Sequence, residues 1–422
     1  MRSAVFCIGV VAACGLADQA AAGDRSPIDL SALLDEVAHA SPQVLGLEAR
    51  AAAAREIATQ REALPDPLLS AAYTNDGLSS FTLGESPCSN VMVRWDQDVP
   101  YRKVRAKAAG VAAREHDIAV ASGSAARARL RLRVIALYVA IWRAERNVML
   151  LEEGRGLLTT AVEAARARYE SGEGSQQGVL RAQTEVRRAA VELESLARER
   201  RAAEIALAQA LGRTTDTRFG AAAELPATSP IDAGTLEAQA AASGPETLEA
   251  RAGAARAEAE VDSARVQTKP EWGWMASYQY LGSLDPMVMG GLTVRLPLWK
   301  DTKQARGIAE AERAAEAATH DRDAAEIAAR VRVRDLVSEI ESIERRRVLY
   351  DEAVLPEGGA TLEASRAAFS AGLLPMTDVL DDLVRLVADR RAAVDLGARR
   401  VLATAELEAA TGSPLLVIGG GR

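Results

Sequence analysis

The sequence predicts a mainly α chain with a transmembrane β-barrel portion, arranged as two tandem copies of one plan. Three observations lead there: an internal repeat, two helical runs longer than any globular core, and four segments in which apolar and polar residues alternate.

The repeat rests on Tyr169-Glu170-Ser171-Gly172, Val179-Leu180 and Leu211-Gly212, which return as Phe369-Ser370-Ala371-Gly372, Val379-Leu380 and Thr411-Gly412 at an offset of 200. Earlier landmarks drift slightly, Pro42 matching Pro245, Tyr73 matching Tyr278 and Pro100 matching Pro297. Each copy is expected to run helix, strand pair, very long helix, turn, helix. The first covers 23–212, with strands near 68–76 and 90–99, a long helix over 103–170 and a return helix over 175–211. The second covers 245–413, with strands near 271–281 and 287–297, a long helix over 300–369 and a return helix over 376–411. Between them 213–244, carrying Pro226 and Pro230, reads as a linker or equatorial segment, and 414–422 reads as a flexible tail.

No proline stands between Pro100 and Pro226, so the first long helix extends for roughly 100 Å at 1.5 Å per residue. On its return helix Val179, Val186 and Leu193 recur every seven residues, as do Ala182, Ala189, Leu196, Ala203 and Ala210. These two series make an antiparallel coiled-coil seam with alanine knobs, and Leu380, Val387, Val394 and Val401 repeat the spacing in the second copy.

The alternating segments place Val91, Val93, Trp95, Gln97 and Val99 opposite Met92, Arg94, Asp96 and Asp98, and Trp272, Trp274, Ala276, Tyr278 and Tyr280 opposite Gly273, Met275, Ser277 and Gln279. Val288, Leu292, Val294 and Leu296 oppose Met289, Thr293 and Arg295, and Leu69-Ala71-Tyr73 is a weaker fourth. Such strands, with Trp95, Trp272, Trp274, Tyr278 and Tyr280 as membrane-interface aromatics, suit a barrel with a wet lumen. Four strands cannot close a barrel, and open edges cannot sit in lipid, so at least two chains must share one.

Met1-Arg2-Ser3, the apolar run Ala4–Leu16 and Ala20-Ala21-Ala22 read as a signal peptide over 1–22. Val11-Ala12-Ala13-Cys14 also has a lipoprotein pattern, which makes Cys14 a candidate for lipidation, with simple cleavage ahead of it. Cleavage after Ala22 leaves Cys88 with no partner for a disulfide within the chain.

A net charge of −8 with both signs interspersed gives no support to nucleic-acid binding. No nucleophile motif, phosphate loop or dinucleotide fingerprint points to an enzyme, and no cofactor is implied. His39, His116 and His320 are isolated, so a metal site has no basis in histidine spacing. Met287-x-Met289 reads as packing or lumen lining ahead of a soft-metal pair.

Across the whole mature chain the duplicated plan resembles the TolC-like outer membrane efflux family. Phe369, Gly372 and Asp378-Val379-Leu380-Asp381 match its turn signature, aromatic-x-x-Gly followed by Asp-Val-Leu-Asp. Ala63-Leu64-Pro65-Asp66-Pro67, followed by Thr74-Asn75-Asp76-Gly77, is similar to the heavy-metal (CzcC/CusC-like) branch, although the glycine of that branch's Pro-x-x-Gly-Lys is absent from Pro100-Tyr101-Arg102-Lys103.

The resemblance implies a homotrimer in the outer membrane of a Gram-negative bacterium, in contact with outer-membrane lipid. A twelve-stranded barrel would stand over a twelve-helix periplasmic barrel, engaged by a periplasmic adaptor (membrane fusion) protein and an inner-membrane pump of the RND type. It implies that Asp378 and Asp381 act as periplasmic gate or selectivity acids, the bland alternative being helix caps, and that Gly172, Ala371, Gly372 and Leu373 contact the adaptor. The first copy has Gly178 and Arg181 where the second has these acids. Metal or drug efflux is the expected role; a type I protein secretion channel and a coiled-coil scaffold without a barrel are the alternatives. The substrate and the resting state of the gate are left open.

Overall fold

A computed structural model describes residues 27–78 and 80–418. The expected leader, with Cys14, and residues 419–422 of the expected tail lie outside the described residues.

Two helices open the chain, α1 (Leu30–Ala40) and α2 (Pro42–Glu62). Asp29 caps α1, accepting from the Ser31 amide at 3.0 Å. Bonds from the Ser31 side chain, and then from its backbone, hold this carboxyl below the usual carboxylate range. The strands β1 (Leu68–Thr74) and β2 (Asn90–Val99) follow, then α3 (Arg102–Glu170) and α4 (Gln176–Leu211). Helix α3 runs for 69 residues without a break, about 100 Å of continuous helix. On α4 the series Ala182, Ala189, Leu196, Ala203 and Ala210 is buried, while Val179, Val186 and Leu193 are half-buried beside it. The small alanine knobs let the two helices lie close. Gly212 ends α4 with φ +74°, and a Cβ there would lie 2.6 Å from Pro42 Cδ, so both backbone and space demand glycine.

The remaining elements are β3 (Ala227–Thr228), α5 (Ala233–Ser243), α6 (Pro245–Val266), β4 (Glu271–Leu281), β5 (Leu284–Arg295), α7 (Ala305–Leu349), α8 (Leu355–Ser370), α9 (Met376–Thr411) and β6 (Leu416–Val417). Four features differ from expectation. The segment 213–244 is not irregular throughout: Asp232 caps α5, which buries Leu236, Ala240 and Ala241 and is the counterpart of α1. The tail from 414 is not free over its described part, because Leu415 and Leu416 are buried and β6 pairs with β3.

The second long helix is interrupted by π-helical segments at Lys300–Gln304 and Tyr350–Val354. Pro356, in the first turn of α8, supplies no N–H to the preceding turn and crowds it, which a widened turn accommodates. Last, the strands are offset from the alternation, β1 ending at Thr74 and β5 beginning at Leu284, with Pro286 tolerated near the start of an edge strand.

The main core lies midway along α3, where Val134, Ile135, Tyr138 and Ile141 meet Leu30, Leu33 and Leu34 of α1 and Leu207 and Leu211 of α4. A second core joins Leu236, Val333, Leu336, Ile340 and Leu407, and a third continues toward the distal turns through Leu158, Leu196, Leu362, Leu380 and Leu383. The Tyr138 hydroxyl donates to the Glu224 carbonyl at 3.3 Å, and burial pushes its pKa up to about 12. Two buried carboxylates are each paired, Glu204 with Arg200 and Arg201 at 3.1 Å and Glu408 with Arg131 at 3.0 Å.

The four long strands form one antiparallel sheet in the order β1-β2-β4-β5. Strands β2 and β4 come from different copies, so the sheet joins the two halves at the end remote from the turns at Gly172 and Gly372. No helix among the described residues is long and apolar enough to cross a membrane.

Candidate functional site: an apolar sheet face and two distal turns

The chemistry-bearing residues collect at the two ends of the molecule. At the sheet end the register aligns Tyr73, Val91 and Tyr280 in one row, Ala71, Val93, Tyr278 and Val288 in the next, and Leu69, Trp95 and Ala276 in a third. Gln97, Trp274 and Leu292, then Val99, Trp272 and Val294, continue the same face. All five predicted interface aromatics therefore share one side, each exposed by 40% or more. Apolar area of this extent on a single face requires a covering surface. Sequence reasoning missed Tyr101 and Trp299, exposed at the strand-to-helix junctions. Their places just beyond Pro100 and Pro297 were readable in the sequence and extend the exposed aromatics past the strand ends.

The opposite face carries Ser70, Arg94, Asp96, Asp98, Glu271, Ser277, Gln279, Thr293 and Arg295. Arg94 Nε donates to both carboxylate oxygens of Asp96, at 3.0 and 2.8 Å, and Arg295 pairs with Glu271 at 2.7 Å. Much of the charge on this face is thus cancelled locally. The outer edges of β1 and β5 have no partner strand among the described residues.

At the far end the two turns are built alike. Gly172 and Gly372 take φ of +78° and +77°, which an L side chain rarely adopts, and each lets the chain reverse directly after its helix. The amides of Glu173 and Leu373 donate to the Arg168 and Ala368 carbonyls, both at 2.9 Å. Ala371, Gly372 and Leu373 are exposed, Leu373 by 80%, as is Gly172.

The acids are not equivalent. Asp378 lies in the first turn of α9, is exposed, and has only the Thr377 hydroxyl, at 3.1 Å, as side-chain partner among the described residues. Asp381 lies one turn further along and forms an ion pair with Arg181 of α4. Pro375 holds the cap position without a side-chain bond, so neither acid caps the helix by a hydrogen bond, although Asp378 stands in the first turn. Arg168 was missed altogether. It stacks over the Phe369 ring at 4.4 Å and donates to the Ser370 carbonyl at 3.2 Å, tying the first turn to the second. No spacing rule marks it, because the contact joins two halves of the chain.

Between α3, α8 and α9, just inside these turns, a cavity of about 190 Å³ is lined by Leu157, Ala161, Leu362, Phe369, Met376 and Val379. No three histidine, cysteine, aspartate or glutamate side chains gather as a metal site among the described residues.

Residues 236–413 match the family of outer membrane efflux proteins. Among solved structures, the chain is similar to the outer membrane protein VceC of Vibrio cholerae, at 21% identity and a TM-score of 0.75 over 91% of this chain and 96% of that one. It is similar to CusC, described in terms of transmembrane channel formation, at 15% identity and a TM-score of 0.77 over 92% of this chain and 93% of that one. It is also similar to the open state of the MtrE outer membrane channel of Neisseria gonorrhoeae, at 18% identity and a TM-score of 0.73 over 91% and 89%. No curated protein matches the chain. Residues 236–413 thus match the model of the outer membrane efflux protein family, and the chain across nine-tenths of its length has the fold of solved outer-membrane channels.

Proposed function

We propose that the chain is the outer-membrane subunit of a tripartite exporter in a Gram-negative bacterium, a passive duct that receives substrate from an inner-membrane pump of the RND type through a periplasmic adaptor. One observation carries the reading: a four-stranded sheet, aromatic and apolar on one face and polar on the other, stands at one end of helices whose far ends are exposed glycine turns.

Lipid covers the Trp272–Tyr280 face, and the unpartnered edges of β1 and β5 close against further copies, since no open edge survives in hydrocarbon. Three copies make a twelve-stranded barrel of the usual even-numbered kind. The α3–α4 and α8–α9 hairpins then enclose the periplasmic passage, with Asp378 at its mouth and Leu373, Ala371, Gly372 and Gly172 offered to the adaptor. Cargo of a metal or drug export system fits this arrangement, in which the pump does the selecting.

The test is assembly and conductance of the full chain. Light scattering in mild detergent should give a trimer, and planar bilayers should show steady single-channel currents. A monomer that conducts nothing and leaves membranes on carbonate extraction would establish the scaffold reading instead.

A further inference from the structure

Methionine is distributed unevenly over the sheet. Of the seven in the chain, Met92, Met275, Met287 and Met289 stand on the polar face, and none stands on the apolar face, whose large residues are Val, Leu, Trp and Tyr. Methionine ordinarily fills apolar gaps, yet on this sheet it stands among polar side chains.

Met287 and Met289, two apart on β5, have Cα atoms about 7 Å apart. Met289 pairs with Ser277, and Met275 pairs with Gly291, so Met275 and Met289 are diagonal neighbours on adjacent strands, about 7–8 Å apart. Gly291 leaves the space that Met275 uses: a Cβ there would lie 3.2 Å from its sulfur. Met92 completes the group across Gln279 from Met287. The floor is Ser277, only 4% exposed, whose buried Oγ has no partner among the described residues. Arg94 beside it is answered by Asp96, so no uncompensated cation guards the patch.

We propose that Met275, Met287 and Met289, with Met92 alongside, form a thioether site for a soft monovalent cation, Cu⁺ or Ag⁺, as cargo on the polar face of the sheet. Thioethers are neutral and soft, and they select such ions over hard cations. They also carry no proton to displace, and Met287 remains 49% exposed, so the ion is held loosely enough to pass on. The assignment rests on the duct reading, which turns this face toward the lumen and brings three such patches around one passage.

The experiment uses the full-length trimer in detergent in a Cys88→Ser background, because the exposed thiol would otherwise compete for the ion. Silver nitrate in chloride-free buffer is the probe, read by equilibrium dialysis, and potassium conductance in planar bilayers is measured in parallel. Met275→Leu, Met287→Leu and Met289→Leu together conserve volume and should weaken Ag⁺ binding at least tenfold without changing potassium conductance. Met287→Leu alone, at an exposed position, should weaken it by a smaller factor and serves if the triple variant does not assemble. Met149→Leu, outside the sheet, should change nothing. Equal Ag⁺ binding by parent and leucine variants, or none by the parent, overturns the site while conductance keeps the duct reading. Ag⁺ binding that the leucine variants lose, in a protein that never conducts, upholds the thioether ligands but overturns both the duct and the ion's role as cargo.

Discussion

Arg181 and Asp381 form an ion pair although they stand 200 residues apart, at corresponding places in the two halves of the chain. The duplication has put opposite charges on facing return helices, and Arg391 with Glu192 repeats the device further along. One of the two acids beside the distal turns is therefore paired within the chain, whereas Asp378 has no ion-pair partner among the described residues.

Cation preference should follow that asymmetry. Asp378→Asn is expected to lower the cation selectivity of the assembled channel more than Asp381→Asn, and Arg181→Gln to raise it by unmasking Asp381. Reversal potentials across a potassium chloride gradient measure this; equal effects of the two asparagine variants would show that the pair does not screen Asp381.

The sheet's apolar face should respond to charge according to depth. Val288→Arg, outward-facing and near the middle of the sheet, should cost about 2–4 kcal/mol, whereas Trp272→Arg near its end should cost about 0–1 kcal/mol. Thr293→Arg on the polar face should leave insertion unchanged. Equilibrium folding into lipid vesicles, read by heat-modifiable migration, gives the order.

Leu207 is fully buried where α4 meets α1 and α3. Leu207→Ala should destabilise the subunit by about 2–5 kcal/mol, while Leu180→Ala, at a 54% exposed site on the same helix, should fall within about 0.5 kcal/mol of the parent. Denaturant titration in detergent compares them.

Tyr138 should mark the alkaline limit. Its folded pKa near 12 lies above the ordinary phenol value of about 10, so the folded chain holds this proton more tightly than the unfolded one. Its contribution is intact below pH 10 and is lost as pH rises from about 10 through 12. Tyr138→Phe should flatten the fall in melting temperature over that window, at the cost of the bond to Glu224; an unchanged alkaline slope would mean that another group sets it.

The helices, strands and duplication were legible in the sequence because each rests on local periodicity. Seven-residue spacing buries Ala182, Ala189 and Leu196 whatever lies further along the chain, and two-residue alternation sorts Trp272, Trp274 and Tyr278 from Gly273, Met275 and Ser277. Even Gly172 and Gly372 announce themselves, since a reversal after a helix calls for positive φ. Other features were decided only by tertiary packing. Arg168 over Phe369 and Arg181 against Asp381 join residues whose separation carries no periodic signal. Helix α5 and strand β6 form in segments with many turn residues because Leu236 and Leu416 find cores to fill. The methionine patch exists only once β4 and β5 are in register, because Met275 and Met289 lie too far apart along the chain for any local pattern to connect them. Local spacing determined which faces the elements would bury, and the pairing of the two halves determined which side chains meet across them, because such contacts depend on how distant segments stack rather than on the period of any one.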